Sequence, residues 1–248
     1  MVAQKPSVIE GRARFSARLN YVILPIDWTK FPELLQERGF TLAQNLPTAP
    51  VGTGMSLEPA VFLARKGNNR FDMSTEKEIF GVEGSNSEEV LSDYILVEHV
   101  LKTAVSGDYA DHVSFYEAIG ELKVRGNQSA LVTSRSLYHE KASMFGKVSS
   151  VIGDPVLPFG LRLASTNSVP TSEEWTDLRI EPVVISPSLY YVSVVFRSRK
   201  REKCAAFLKD LEDKALKLVL SVEQESQGSS KTTSDLSQLG MQKPYPTH

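Results

Sequence analysis

LYYVSVVFRSRKREKCAAFLKDLEDKALKLVLSVE, residues 189–223, carries a strand and a helix in one run. Its first eleven residues alternate. Tyr190, Val192, Val194 and Phe196 share one side, and Tyr191, Ser193, Val195, Arg197 and Arg199 the other. A period of two predicts a strand over Leu189–Arg199. From Lys200 the period becomes helical. Cys204, Phe207, Leu208, Leu211, Ala215, Leu218 and Val222 make one stripe, and Glu202, Lys203, Lys209, Asp210, Glu212, Asp213 and Lys217 fill the rest. A strand running straight into a long amphipathic helix implies that the helix folds back across the sheet.

The same alternation recurs near the start, in RARFSARLNYVILPI, residues 12–26. Ala13, Phe15, Ala17 and Leu19 lie on one face and Arg12, Arg14, Ser16 and Arg18 on the other, as in a strand buried on one side. Between these two segments the patterning predicts a short helix over Lys30–Arg38 capped by Thr29, and a short strand over Phe40–Leu46. A hairpin follows, Ala60–Lys66 and Arg70–Ser74 around Gly67-Asn68-Asn69, with a third strand at Glu78–Val82. Asn86–Val105 reads as a helix, with Ser85 and Glu88 as its capping box and Gly107 as its end. Asp111–Gly126 fits two patterns: a helix with Phe115, Ile119 and Leu122 as its stripe, or a strand with Tyr116, Ala118, Leu122 and Val124 on one face, and the Tyr, Phe and Val content favours a strand over Phe115–Arg125. A short helix near Ser129–Glu140 is followed by a Ser/Gly-rich loop. Strands at Phe159–Ala164, with Phe159, Leu161 and Leu163 inward, and at Asp177–Ile185 complete the set.

Hairpins outnumber βαβ units, so the expected fold is α+β. A predominantly antiparallel sheet carries amphipathic helices on one face, and a long C-terminal helix follows the last strand. Residues 1–226 form one domain, whose element order allows two similar halves meeting near residue 150. The Ser-, Gln- and Thr-rich stretch 227–248 is expected to be disordered.

Composition excludes several classes. The 248 residues are 41 % hydrophobic and 23 % charged with a net charge of −2, so a generally basic nucleic-acid binder is unexpected. A single cysteine, Cys204, rules out an intrachain disulfide and a Cys-based zinc site. No leader-like apolar run opens the sequence and no stretch is apolar enough to span a membrane, which predicts the cytoplasm.

The chemistry-bearing feature is the arginine face. Arg12, Arg14 and Arg18 stand at i, i+2 and i+6 on one strand, with about 6.8 Å between alternate residues. Arg162, Arg179, Arg197 and Arg199 lie on or beside later strands. If those strands are neighbours, Arg12, Arg14, Arg18, Arg162, Arg197 and Arg199 can surround a phosphate or carboxylate, with Tyr116 and Tyr191 to stack on it. The competing reading is a solvated face in which Glu117, Glu121 and Glu181 are cross-strand partners. Both Arg14 and Arg18 read as outward, so replacing them together by Gln is expected to leave folding nearly unchanged.

The remaining constellations are thinner. Glu98, His99, Asp108, Asp111 and His112 match no metal box, and no metal or cofactor is expected. Tyr138-His139-Glu140 does not share a helix face. Gly52-Thr53-Gly54 lacks the Lys-Ser/Thr of a phosphate loop. Cys204 sits on an apolar stripe and reads as core rather than nucleophile. Ser229–Ser234 is a candidate for modification. The function these residues imply is a non-enzymatic binding or interaction module. It would use the arginine face, or a groove between sheet and helices, to hold a protein or small anionic ligand. The alternative is a small hydrolase or transferase acting on a phosphorylated substrate, with Asp108 or Glu117 as base.

Overall fold

The computed structural model describes residues 5–19, 27, 29–43, 61–74, 78–105, 108–139 and 145–239, of which 61–62, 74, 139 and 228–239 by their backbone alone. The alternating segments become the long strands of one antiparallel sheet. β1 (Ser7–Leu19), β6 (Val113–Arg125) and β9 (Ser186–Ser198) each run for 13 residues. Shorter strands flank them: β2 (Thr41–Leu42), β3 (Val61–Lys66), β4 (Asn69–Ser74) and β5 (Ile79–Gly84) on one side, and β8 (Trp175–Val183) and β7 (Leu161–Ala164) on the other. The order is β2-β3-β4-β5-β1-β6-β9-β8-β7. β1 and β6 are neighbours at its middle, and each is flanked on its other side by the last strand of the meander that follows it, β5 beside β1 and β9 beside β6. In chain terms that centre falls near residue 110, and residue 150 lies well inside the second half by strand order.

The helices cover one face. α1 (Phe31–Glu37) and α2 (Ser87–Ala104) lie over the first half, and α3 (Ala130–His139), α5 (Arg201–Lys209) and α6 (Leu211–Leu239) over the second. A further short helix, α4 (Gly146–Ile152), stands in the connection the sequence reads as loop. Odd residues of β1 point under the helices as the pattern requires: Phe15 meets Tyr94 edge-on at 4.5 Å between ring centroids, and Phe80 stacks on Tyr94 at 5.8 Å. Cys204 is fully buried with its Sγ 3.3 Å from the Tyr116 carbonyl oxygen. No helix among the described residues is long and apolar enough to cross a membrane.

Local details differ from the patterning. Thr29 does not cap α1; Asp27 does the local bonding, accepting from the Thr29 amide at 3.1 Å. The cap of α2 is Asn86, not Ser85: its Oδ1 accepts from the Glu88 and Glu89 amides at 2.9 and 3.0 Å, the N2 and N3 positions a cap serves. Ile95, at helical spacing from the buried Leu91, is exposed. Phe159, ahead of β7, is exposed too, and so is Leu163, because β7 is the sheet edge and the helix layer stops short of it. The single C-terminal helix is two, bent at Asp210, which lets Leu211 settle where β6 carries Gly120; a Cβ there would lie 2.5 Å from a Leu211 methyl. α6 runs past Gln224, where the composition turns polar, because a helix already nucleated by packing extends at little cost. Gly107, residues 44–46 of the Phe40–Leu46 strand and residues 20–26 lie outside the described residues.

Candidate functional site

The arginines stand on the open face of the sheet, and each is already engaged. Arg14 reaches from β1 across β5 to Asp72 on β4, a fork with bonds of 2.7 and 2.6 Å. Gly81 makes the crossing possible: it is paired with Ser16 and Asp72, and a Cβ at that position would lie 3.0 Å from the Arg14 Nη2 and 2.8 Å from the Phe15 carbonyl. Arg12 pairs with Glu83, and Arg18 with Glu78 at 3.4 Å. Arg197 donates to Glu117 at 3.0 and 2.6 Å and to the carbonyls of Pro170 and Ser172 at 2.8 and 3.0 Å. Arg162 forks onto Asp177, Arg179 bonds Glu181 at 2.7 Å, and Arg199 pairs with Glu173. The Arg162 bond holds the Asp177 carboxyl below the usual aspartate range.

Strand order keeps the β1 arginines apart from Arg162. Four inter-strand steps separate β1 from β7, about 19 Å, so Arg14 and Arg162 cannot close on one small ligand. Tyr116 points under the helices, where burial pushes its hydroxyl up to about 12, and so offers no stacking surface beside the arginines. Phe115 takes that place. It is 2 % exposed on the open face, with the Arg197 guanidinium 4.3 Å and that of Arg18 5.8 Å from its ring centre. The Arg18–Phe115–Arg197 cage is internal packing by cation–π contact. A shallow depression of about 140 Å³ lies on this face beside Arg12, Arg14, Ile119 and Glu121.

The other constellations disperse. Glu98 is buried beneath α2 with Arg201 Nε at 3.3 Å and Lys102 Nζ at 3.6 Å, while His99 faces outward. Asp108 caps the 3-10 turn Tyr109–His112 through the Ala110 amide. Among the described residues, no three His, Cys, Asp or Glu side chains are placed to hold a metal ion. Burial pushes the Cys204 thiol up to about 12, which leaves it protonated. Tyr138 donates to the Gly160 carbonyl at 3.1 Å; the His139 side chain, Glu140 and Gly52–Gly54 lie outside the described residues.

The open surface lies elsewhere, between α3 and the β8–β9 end of the sheet. A groove of about 530 Å³ is lined by Leu131 and Arg135 of α3, by the segment that leads into β7, and by Val184 and Pro187 at the β8–β9 turn. That segment contributes Pro155, Leu157, Pro158 and Phe159. The walls are fastened. Ser134 Oγ donates to the Phe159 carbonyl at 2.9 Å, Tyr138 holds Gly160, and Ser149 Oγ accepts from the Val156 amide at 3.1 Å. Gly160 lets the segment press on β8, since a Cβ there would lie 2.7 Å from the Ile180 carbonyl. Beside the groove, α4 has no buried residue, and its Val148, Val151 and Ile152, at helical spacing, are all exposed. Arg135 has no ion-pair partner among the described residues. A polar cleft near Arg125 and Ser129 adjoins the start of α3, but the Glu223 carboxylate from α6 already accepts from the Asn127 and Gln128 amides there.

Sequence reasoning missed this surface, although the i, i+3, i+4 spacing of Val148, Val151 and Ile152 is visible in the chain. No protein-family model matches the chain, no curated protein matches it, and no solved structure matches it.

Proposed function

We propose that this chain is a non-enzymatic protein-interaction module, and that its docking surface is the sheet–helix groove between α3 and the β8–β9 turn. One observation carries the reading: eight of the twelve exposed large hydrophobics among the described residues cluster on α3, α4, the segment before β7 and the β8–β9 turn. Clustered apolar exposure of this kind marks association surfaces, whereas singly scattered residues do not. Arg135 adds a polar requirement. Among the described residues it is the one charged residue lining the groove, so the fitting partner is an apolar segment that brings a carboxylate. We place the module in the cytoplasm, where a lone thiol stays reduced.

The alternative, a hydrolase or transferase holding a phosphoryl group on the open-face arginines, finds less support. Those guanidiniums are filled by Asp72, Glu78, Glu83, Glu117, Glu173 and Asp177. A phosphate there would have to displace a carboxylate at each position.

Peptides displayed at random and selected on the immobilised protein test the proposal. Enriched sequences should be apolar with an Asp or Glu. Arg135→Glu should turn the preference toward Lys or Arg, and Phe159→Asp should end enrichment. Failure to enrich, or enrichment indifferent to both substitutions, overturns it.

A further inference from the structure

We infer that the segment received by this groove is supplied by a second copy of the same chain: the apolar stripe of α4 and the Asp154 that follows it. The inference rests on the reading of the groove given above and names its partner.

α4 is an amphipathic helix without a core. Val148, Val151 and Ile152 make one side of it, Val151 is 89 % exposed, and nothing in α4 is buried. A helix of seven residues has little stability of its own in water, so an apolar stripe facing outward needs a surface to lie against. Its own groove is on the same side of the molecule. Asp154 directly precedes the groove-lining Pro155, and the Val156 amide is bonded back to Ser149 of α4. The chain that leaves the stripe becomes the wall of the groove, which fixes the two as neighbours.

That adjacency decides the kind of partner. A patch that offers a projecting stripe and a receiving groove side by side is self-complementary under a two-fold axis: the stripe of each copy lies in the groove of the other. The charges follow the same rule. Arg135 and Asp154 are both exposed, and neither has an ion-pair partner among the described residues, although most other arginines here do. Arg135 and Asp154 are of opposite sign, so a two-fold contact that sets each against its counterpart in the other copy makes two identical ion pairs. A partner with only an acidic apolar segment would satisfy Arg135 and leave α4 and Asp154 open.

Size is compatible. The eight exposed hydrophobics and Pro155, Pro158 and Pro187 give eleven apolar residues. Each side of a standard interface uses roughly 20–30 residues, with an apolar centre and a polar rim. The eleven suffice for that centre, and Arg135 and Asp154 belong to the rim.

Sedimentation of the full chain from about 1 to 100 µM, a range bracketing ordinary homodimer affinities, reads the outcome. The wild type should pass from monomer to dimer across the range. Arg135→Asp alone and Asp154→Arg alone should each weaken association by about tenfold or more, since each removes both ion pairs and sets like charges together. The double exchange should return it to within about threefold of the wild type. Far-UV circular dichroism shows that the single variants fold. A chain monomeric throughout, or a dimer indifferent to either single exchange, overturns the inference. A monomer that still selects acidic apolar peptides overturns the second copy alone and leaves the docking groove standing; a monomer that selects none removes both.

Discussion

The open face of the sheet and the α3–α4 end of the molecule present opposite kinds of surface. Across β4, β5, β1, β6 and β9, charge is dense and internally consumed: Arg14 is held by Asp72, Arg197 by Glu117 and two carbonyls, and the Phe115 ring fills the space between Arg18 and Arg197. At the other end charge is sparse, hydrophobic side chains face water, and Arg135 and Asp154 stand without ion-pair partners among the described residues. The contrast shows that density of charge is a poor guide to recognition. An arginine signals a ligand through donors left over after folding, and the crowded face has few to spare. The face that looks reactive is a structural mosaic, while the plain one retains unmet valence.

The sharpest way to break this contrast is to remove a guanidinium that is held inside the mosaic. Arg14 is 17 % exposed and Asp72 9 % exposed, so Arg14→Gln strands a nearly buried carboxylate. Uncoupling such a pair costs about 3 kcal/mol. For a chain of this size that lowers the melting temperature by roughly 6–12 °C. The expectation drawn from alternation, that Arg14 and Arg18 are outward and dispensable for folding, fails for Arg14 on this geometry. Arg162→Gln, at the solvent-exposed edge, should leave the urea midpoint close to the wild type. If the two variants melt together, the mosaic is not holding the sheet and the contrast collapses.

The reason this was hidden in the chain is specific. Period-two alternation places Arg14 on the face opposite Phe15, which is correct, but whether that face is open depends on what lies across the sheet. Asp72 is 58 residues from Arg14 and Glu117 is 80 from Arg197. Their meeting requires the order β4-β5-β1 and β6-β9, a choice made by the packing of two meanders and not by any local pattern. Gly81 is equally mute in sequence: nothing marks it as the gap through which Arg14 crosses. The strands themselves were legible because each long one buries a single face. α4 was not, since three apolar residues among serines and glycines give a weak helical period, and the bend at Asp210 has no Gly or Pro to announce it.

Val184 and Ile185 sit at the β8–β9 turn, and Ile185 is 90 % exposed. Replacing both by Thr should change unfolding free energy by no more than about 0.5 kcal/mol, as at surface positions without partners. The same replacement should weaken the association measured by sedimentation. A large loss of stability would mean that these side chains complete the monomer's core and are not held in reserve for a partner.

The smallest expected effect is a pH dependence, and its sign follows from the Arg162–Asp177 fork. The hydrogen bonds from Arg162 come first among the causes that lower the Asp177 carboxyl below its ordinary value. The unfolded chain therefore takes up the proton at a higher pH than the folded one. Stability from this pair is fully present above the ordinary aspartate value of about 4. It is lost as pH falls through the lower folded value. Arg162→Gln removes the cause and returns Asp177 toward the ordinary range. Urea midpoints of the wild type and variant should differ slightly at pH 5.5 and converge near pH 3, where Asp177 is increasingly protonated. Arg162 is 72 % exposed, so salt should shrink even the first difference. A gap of equal size at both pH values would mean that the fork acts through packing of the Arg162 stem and not through charge. The edge of the mosaic would then be held by the same kind of contact as its centre at Phe115.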